Sequence, residues 1–147
     1  MGAAWDEIDT DAKIWIVPGS RMKAEIEHRV PLASRAMAII EQMAEIRTGD
    51  LVFPGQRRRR PLSGATLAAL VLGATVHGFR SSFRDWAGEE TSFPREIAEQ
   101  ALAHATGGAV ERAYRRGDAL EKRRALMEAW ANYCEPGAAG NVVPMRA

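Results

Sequence analysis

Apolar positions between Ala12 and Leu32 fall in two short runs, Ala12-Lys13-Ile14-Trp15-Ile16-Val17 and Ile26-Glu27-His28-Arg29-Val30-Pro31-Leu32. Runs of β-branched and aromatic residues, the first closed by Pro18-Gly19, predict a hairpin. Ser20, Arg21, Met22 and Lys23 lie in its connection, so a guanidinium and an ammonium stand at the tip of a ribbon. The apolar spacing then lengthens to that of a helix. Ser34 is placed to cap one reaching about Arg47, with Ala36, Met37, Ile40, Met43, Ala44 and Ile46 as its apolar positions and Thr48-Gly49-Asp50 as its stop. Leu51-Val52-Phe53 predicts a short buried strand closed by Pro54-Gly55, the run Arg57 to Arg60 a loop, and Ser63 the start of an apolar helix over Ala65 to Leu72 that Gly73 ends.

From Thr75 onward the pattern stays helical. Thr75 is placed to cap a helix running to about Ala87, with Val76, Phe79, Phe83 and Trp86 near one face and Gly88 as the stop. Pro94 suits the first turn of the next, to about Ala103. A short helix over Ala109 to Arg115 and a longer one from Asp118 to about Tyr133 complete the pattern, the latter carrying Leu120, Leu126, Met127 and Trp130. Trp5 and Ile8 are spaced as if on the last turn of a helix. These elements predict an α+β fold, mostly α-helical, with a small antiparallel sheet near the N-terminus. Residues 1–135 are expected to form one partial domain and 136–147 a flexible tail.

Composition narrows the function only by exclusion. The 147 residues are 46% hydrophobic and 27% charged, as in ordinary globular chains. Twenty Lys and Arg against 19 Asp and Glu leave a net charge of +1, so any attraction to a polyanion must come from where the charges sit. A single cysteine, Cys134, excludes an internal disulfide and fits a reducing, cytoplasmic setting. No Cys/His spacing of a zinc site, no leader pattern at Met1 and no apolar run of membrane-spanning length is present.

Candidate chemistry concentrates in three short stretches. In His77-Gly78-Phe79-Arg80, a spacing of three puts His77 and Arg80 on one side of a helix while Phe79 and Phe83 turn to another, so the helix anchors in a core and shows a donor pair to solvent. Free N–H groups in that first turn favour an anion. Leu102-Ala103-His104 supplies a second imidazole, and Ala113-Tyr114-Arg115-Arg116 a phenol among cations. Taken singly each has a plainer explanation: His77 as a cap, Arg80 as surface charge, His104 as a helix-end histidine, Tyr114 as a packed ring with a wet hydroxyl. Tyr133, beside Trp130, reads as core or rim.

Taken in order, Lys23, His77, Arg80, His104 and Tyr114 resemble the pattern of the tyrosine recombinase or phage integrase family. The chain is similar to the C-terminal catalytic domain of prophage-type integrases from Trp5 to about Tyr133, through Trp5-Asp6-Glu7-Ile8-Asp9, Arg21-Met22-Lys23, His28-Arg29-Val30-Pro31-Leu32, Val52-Phe53-Pro54-Gly55, Thr75-Val76-His77-Gly78-Phe79-Arg80, Leu102-Ala103-His104 and Ala113-Tyr114-Arg115-Arg116-Gly117-Asp118. The resemblance implies the tyrosine recombinase catalytic-domain fold and site-specific cleavage and rejoining of double-stranded DNA at an attachment site. Tyr114 would be the nucleophile, Arg80 a phosphate clamp, His104 a hydrogen-bond donor to the phosphate, His77 an aid to proton transfer or a phosphate ligand, and Lys23 the proton donor to the leaving 5′ oxygen. It implies no metal or other cofactor, further integrase protomers as partners, no membrane, and a cytoplasmic, nucleoid-associated location in a bacterium. Arg21, Arg29, Arg84, Arg112, Arg115 and Arg116 are the expected DNA contacts, positioning the duplex through its phosphates without reading bases, while the Arg57 to Arg60 run fits a solvated loop as well as a DNA contact.

The departures from the family pattern are equally informative. The family's first catalytic arginine precedes the stretch matching Trp5-Asp6-Glu7-Ile8-Asp9, and Leu67 to Thr75 is shortened. The expectation is therefore a truncated catalytic domain with little activity alone. A non-catalytic DNA-binding or docking remnant is the alternative from another class, and a metal-dependent hydrolase using His77 and His104 ranks last for want of a carboxylate at ligand spacing.

Overall fold

A computed structural model describes residues 2–56, 60–71, 75, 77–104 and 118–135. The predicted hairpin is present as β2 (Ile14–Val17) and β3 (His28–Pro31), paired antiparallel with Trp15 opposite Val30 and Ile16 opposite Arg29. Its connection turns tightly because a Cβ at Gly19 would fall 2.5 Å from the Glu25 carbonyl oxygen, a place only glycine can occupy. A third strand, β1 (Ile8–Asp9), pairs with β2 on the other edge, Ile8 opposite Trp15. This corrects the expected helical turn at Trp5 and Ile8. Trp5–Glu7 is a single 3₁₀ turn and Ile8 is already extended.

Helix α1 (Ser34–Glu45) follows the apolar spacing, but Ser34 is its first helical residue and not its cap. The free Ser34 N–H donates instead to Glu128 Oε2 at 2.8 Å, so a distant carboxylate does the work of a cap. Leu51 to Phe53 does not form a strand. Leu51 makes one isolated bridge to Ala4, and Pro54 another to Pro61, while Val52 is buried at 1% exposure. Helix α2 (Gly64–Leu70) starts as expected, Ser63 Oγ accepting from Thr66 N at 3.0 Å, yet buries none of its residues and leaves Leu70 exposed. Ala3, Ile8, Trp15, Leu32, Ile40 and Leu67 help line an apolar cavity of about 430 Å³ beside it.

Helix α3 (Gly78–Glu89) begins where Thr75 Oγ1 accepts from Gly78 N at 2.9 Å and runs through Gly88, which therefore does not stop it. Phe83, Trp86 and Ala87 are buried, but Phe79 is 51% exposed, so it does not join Phe83 in the core. Helix α4 (Arg95–Ala101) follows Pro94, and α5 (Leu120–Cys134) begins after Asp118, whose Oδ1 accepts from Leu120 N at 3.2 Å. The short helix expected over Ala109 to Arg115 and the tail from residue 136 lie outside the described residues.

Two apolar clusters hold these elements. Phe83, Trp86 and Ala87 of α3 meet Ile97 and Ala98 of α4 and Leu126 of α5 in one, with Met127 and Trp130 packed against it. Leu32, Met37 and Ile40 form the other with Trp5, Ile8 and Trp15. Tyr133 lies at the rim, 56% exposed and stacked on Trp130 with ring centroids 5.6 Å apart. Helix α5 bridges the clusters, packing on α4, β3 and α1. Among the described residues no helix is long and apolar enough to cross a membrane.

Candidate functional site

The exposed side of α3 and the C-terminal end of α4 meet at one guanidinium. Arg80 Nη2 lies 2.6 Å from the Leu102 carbonyl oxygen and 2.7 Å from His104 Nε2. The end of α4 is shaped for this meeting. Ala103 takes a left-handed conformation, φ 55°, while Ala103 N donates to the Gln100 carbonyl at 3.0 Å and His104 N to the Glu99 carbonyl at 2.9 Å. These are the paired bonds of a Schellman turn, here with alanine where glycine is usual. The turn leaves the Leu102 carbonyl outward for Arg80 and folds His104 back over the helix it has just left.

Glu99 receives it. Its Oε2 lies 2.5 Å from His104 Nδ1, and its Oε1 lies 2.9 Å from Arg84 Nε and 3.7 Å from Arg95 Nε. The hydrogen bond from His104, joined by that of Arg84 and opposed by burial, holds the Glu99 carboxyl below its ordinary range. Arg84, Glu99, His104 and Arg80 thus form one continuous chain of contacts across two helices. Sequence reasoning found three of the four and missed Glu99. His104 stands five positions beyond it, a spacing that does not share a helix face and meets here across the helix-ending turn, and Ala103 gives no compositional sign of that turn.

His77 precedes α3 and meets Arg80 through the backbone, Arg80 N donating to the His77 carbonyl at 3.1 Å. Its exposed ring makes no hydrogen bond among the described residues. Lys23, exposed in the hairpin connection, likewise makes no hydrogen bond or ion pair among them. Tyr114, Arg112, Arg115, Arg116 and the stretch Arg57 to Arg59 lie outside the described residues, and Arg60 is exposed. Arg21 is turned onto Glu7 and the Gly2 carbonyl.

Arg29 belongs to a second knot. Its carbonyl accepts from Arg123 Nη1 at 2.7 Å, and its own Nη1 lies 3.6 Å from Asp118 Oδ2. Arg123, 1% exposed, also donates to the Asp118 carbonyl at 2.8 Å and to Asp118 Oδ2 at 2.9 Å. Neighbouring His28 is held below its ordinary pKa by burial and by the Arg123 charge, against the pull of a hydrogen bond to the Ala101 backbone and of Asp118. Strand β3 is thereby tied to the ends of both α4 and α5.

Donors that meet at an open surface suit an anion with several oxygens. A planar guanidinium offers two parallel hydrogen bonds to one tetrahedral group, and a protonated imidazole beside it a third. Among the described residues no group of three or more His, Cys, Asp and Glu is placed to hold a metal ion.

The model of the phage integrase family matches residues 1–121. Prophage integrase IntA of Escherichia coli K12 is 38% identical over 96% of this chain and 36% of its own length. The integrase of Enterobacteria phage P4 is 31% identical over 90% of this chain and 36% of its own. Prophage integrase IntZ of Escherichia coli K12 is 32% identical over 96% of this chain and 37% of its own. The chain therefore spans little more than a third of the length of these relatives, and no solved structure matches it.

Proposed function

The chain belongs to the phage integrase family, and from that premise we propose that it supplies the catalytic residues of a site-specific recombinase that breaks and rejoins double-stranded DNA. Arg80 and His104 take the non-bridging oxygens of the scissile phosphate. The Tyr114 phenol attacks phosphorus and the bond to the 5′ oxygen breaks, leaving a 3′-phosphotyrosyl link and a free 5′ hydroxyl. The phenolic proton leaves with help from His77, and Lys23 gives a proton to the departing oxygen. A 5′ hydroxyl from another strand reverses these steps and completes the exchange. Nothing is oxidised, and the bond energy stays in the ester, so the scheme needs no cofactor.

Charge explains the choice of residues. A phenol with a pKa near 10 is a weak nucleophile at neutral pH. Cations around it favour phenolate, and donors fixed before reaction stabilise the charge that grows on the phosphoryl oxygens. The observation that carries this reading is the convergence of Arg80 Nη2 on His104 Nε2 at 2.7 Å from two separate helices. Further protomers of the same kind and a nucleoid-associated, cytoplasmic location follow from the proposed reaction, since strand exchange needs two cleaved duplexes on a chromosome.

Nicked duplexes of randomised sequence provide the test, because loss of the short strand traps the intermediate. An SDS-resistant adduct mapping by mass spectrometry to Tyr114, absent in Tyr114→Phe and reduced about a hundredfold to a thousandfold in Arg80→Lys, is expected. An adduct that persists in Tyr114→Phe overturns the assignment.

A further inference from the structure

We propose that Glu99 is a positioning residue that fixes the His104 ring in one tautomer and one rotation, with the proton on Nδ1 and Nε2 turned to the Arg80 guanidinium. The inference rests on the reading of Arg80 and His104 as the phosphate site and adds a residue that reading does not contain.

The two ring nitrogens lead to the same conclusion independently. An ionised carboxylate only accepts hydrogen bonds, so the contact of 2.5 Å between Glu99 Oε2 and Nδ1 requires a proton on Nδ1. A guanidinium only donates, so Arg80 Nη2 at 2.7 Å requires a lone pair on Nε2. Both demands are met by a single form of the neutral ring. The carboxylate is also the better-fixed partner. Its side chain is 14% exposed against 45% for His104, its other oxygen is occupied by Arg84 Nε at 2.9 Å, and its backbone carbonyl holds His104 N at 2.9 Å. Glu99 therefore grips His104 at two points, and the left-handed Ala103 between them makes the double grip possible.

This arrangement sets what the ring can do. In the DNA-free chain Nε2 occupies one donor position of Arg80, the position a phosphoryl oxygen would take. Once that oxygen arrives, Nε2 faces it directly and needs only a proton to become its second donor. A free ring would spread over two tautomers and several rotations, and most would not face Arg80.

Nitrogen-15 spectra of the histidine rings test this in the 147-residue chain itself, with His104 assigned by the signal that disappears in His104→Gln. The neutral His104 ring should show the pattern of a proton on Nδ1. Glu99→Gln should keep it, because the amide oxygen still accepts, and Glu99→Ala should shift the ring towards a proton on Nε2. A wild-type ring protonated on Nε2, or one unchanged in Glu99→Ala, overturns the proposal. The wild-type spectrum decides even if Glu99→Ala does not fold. On trapped duplex at saturating DNA, Glu99→Ala should lower the rate of adduct formation about tenfold to a hundredfold, and Glu99→Gln should restore it. A wild-type chain that forms no adduct at all defeats the recombination reading, while the ring spectrum still decides the role of Glu99.

Discussion

Arg123 is a charged side chain at 1% exposure, with an acceptor for each of its nitrogens: the Asp118 carbonyl, the Arg29 carbonyl and Asp118 Oδ2. A planar fork satisfies three acceptors in a way a single ammonium cannot. Removing it takes one donor away from each of the two carbonyls and from the Asp118 carboxylate. Arg123→Met should therefore lose about 3 kcal/mol in urea unfolding, the lower end for a broken buried pair because Asp118 is 40% exposed and water can reach it. Arg123→Lys should recover only part of that loss. The residue was not legible as structural in the sequence, where nothing distinguishes Arg123 from its neighbours Lys122 and Arg124. What buries it is the approach of β3, a contact 94 residues away in the chain.

Elements were more legible than their boundaries. The hairpin, α1, α3, α4 and α5 all follow from apolar periodicity, because each buries one face in a core and that face must repeat at the period of the backbone. The misreadings have local causes. Phe79 has the spacing of a core residue but stands on the exposed side of α3 with Arg80. Gly88 does not end α3, because beyond it Glu90 N donates to the Trp86 carbonyl at 2.9 Å and Thr91 Oγ1 to the Ala87 carbonyl at 2.6 Å. Leu51 to Phe53 has strand composition, but among the described residues it meets no named strand: Leu51 makes a single bridge to Ala4, Val52 N donates to the Ala3 carbonyl and Leu62 N to the Phe53 carbonyl. In the candidate site Arg80 and His104 were visible as types of residue, whereas their meeting depends on the Schellman turn at Ala103.

Titration acts at this same scale, through groups that join one element to the next. Burial by itself would raise Glu7, but hydrogen bonds from Trp15 and the Ala4 N–H, with the Arg21 guanidinium, hold it below its ordinary 4.5; Glu99 is also held below that value. His28 is held below 6.5. For each, the unfolded chain binds a proton more readily than the folded one, so acid favours unfolding. Thermal midpoints should begin to fall as the pH drops through 6.5, from His28, and again below 4.5 as the two carboxylates lose their ionised contacts. His28→Gln should flatten the first of these slopes and leave the second in place.

For the whole molecule, a net charge of +1 makes the proposed DNA affinity a matter of which cations remain available. Arg21 and Arg84 are paired with Glu7 and Glu99, and Arg29 stands 3.6 Å from Asp118, while Lys23 has no such pairing among the described residues. Each phosphate contact adds about 0.9 to the slope of log affinity against log salt on duplex DNA. By fluorescence anisotropy, Lys23→Gln should reduce that slope by about 0.9, and Arg21→Gln should leave it nearly unchanged. Steep salt dependence without any covalent adduct would favour a DNA-binding role without turnover.

Helix α3 carries Arg80 and Arg84 on its exposed side and Phe83, Trp86 and Ala87 on its buried one. Each residue added to a helix rotates everything beyond it by about 100°. One amino acid inserted between Arg80 and Phe83 would swing the anchor out of the apolar cluster or the guanidinium away from the end of α4. Evolution can thus exchange side chains along this segment far more freely than it can change their number.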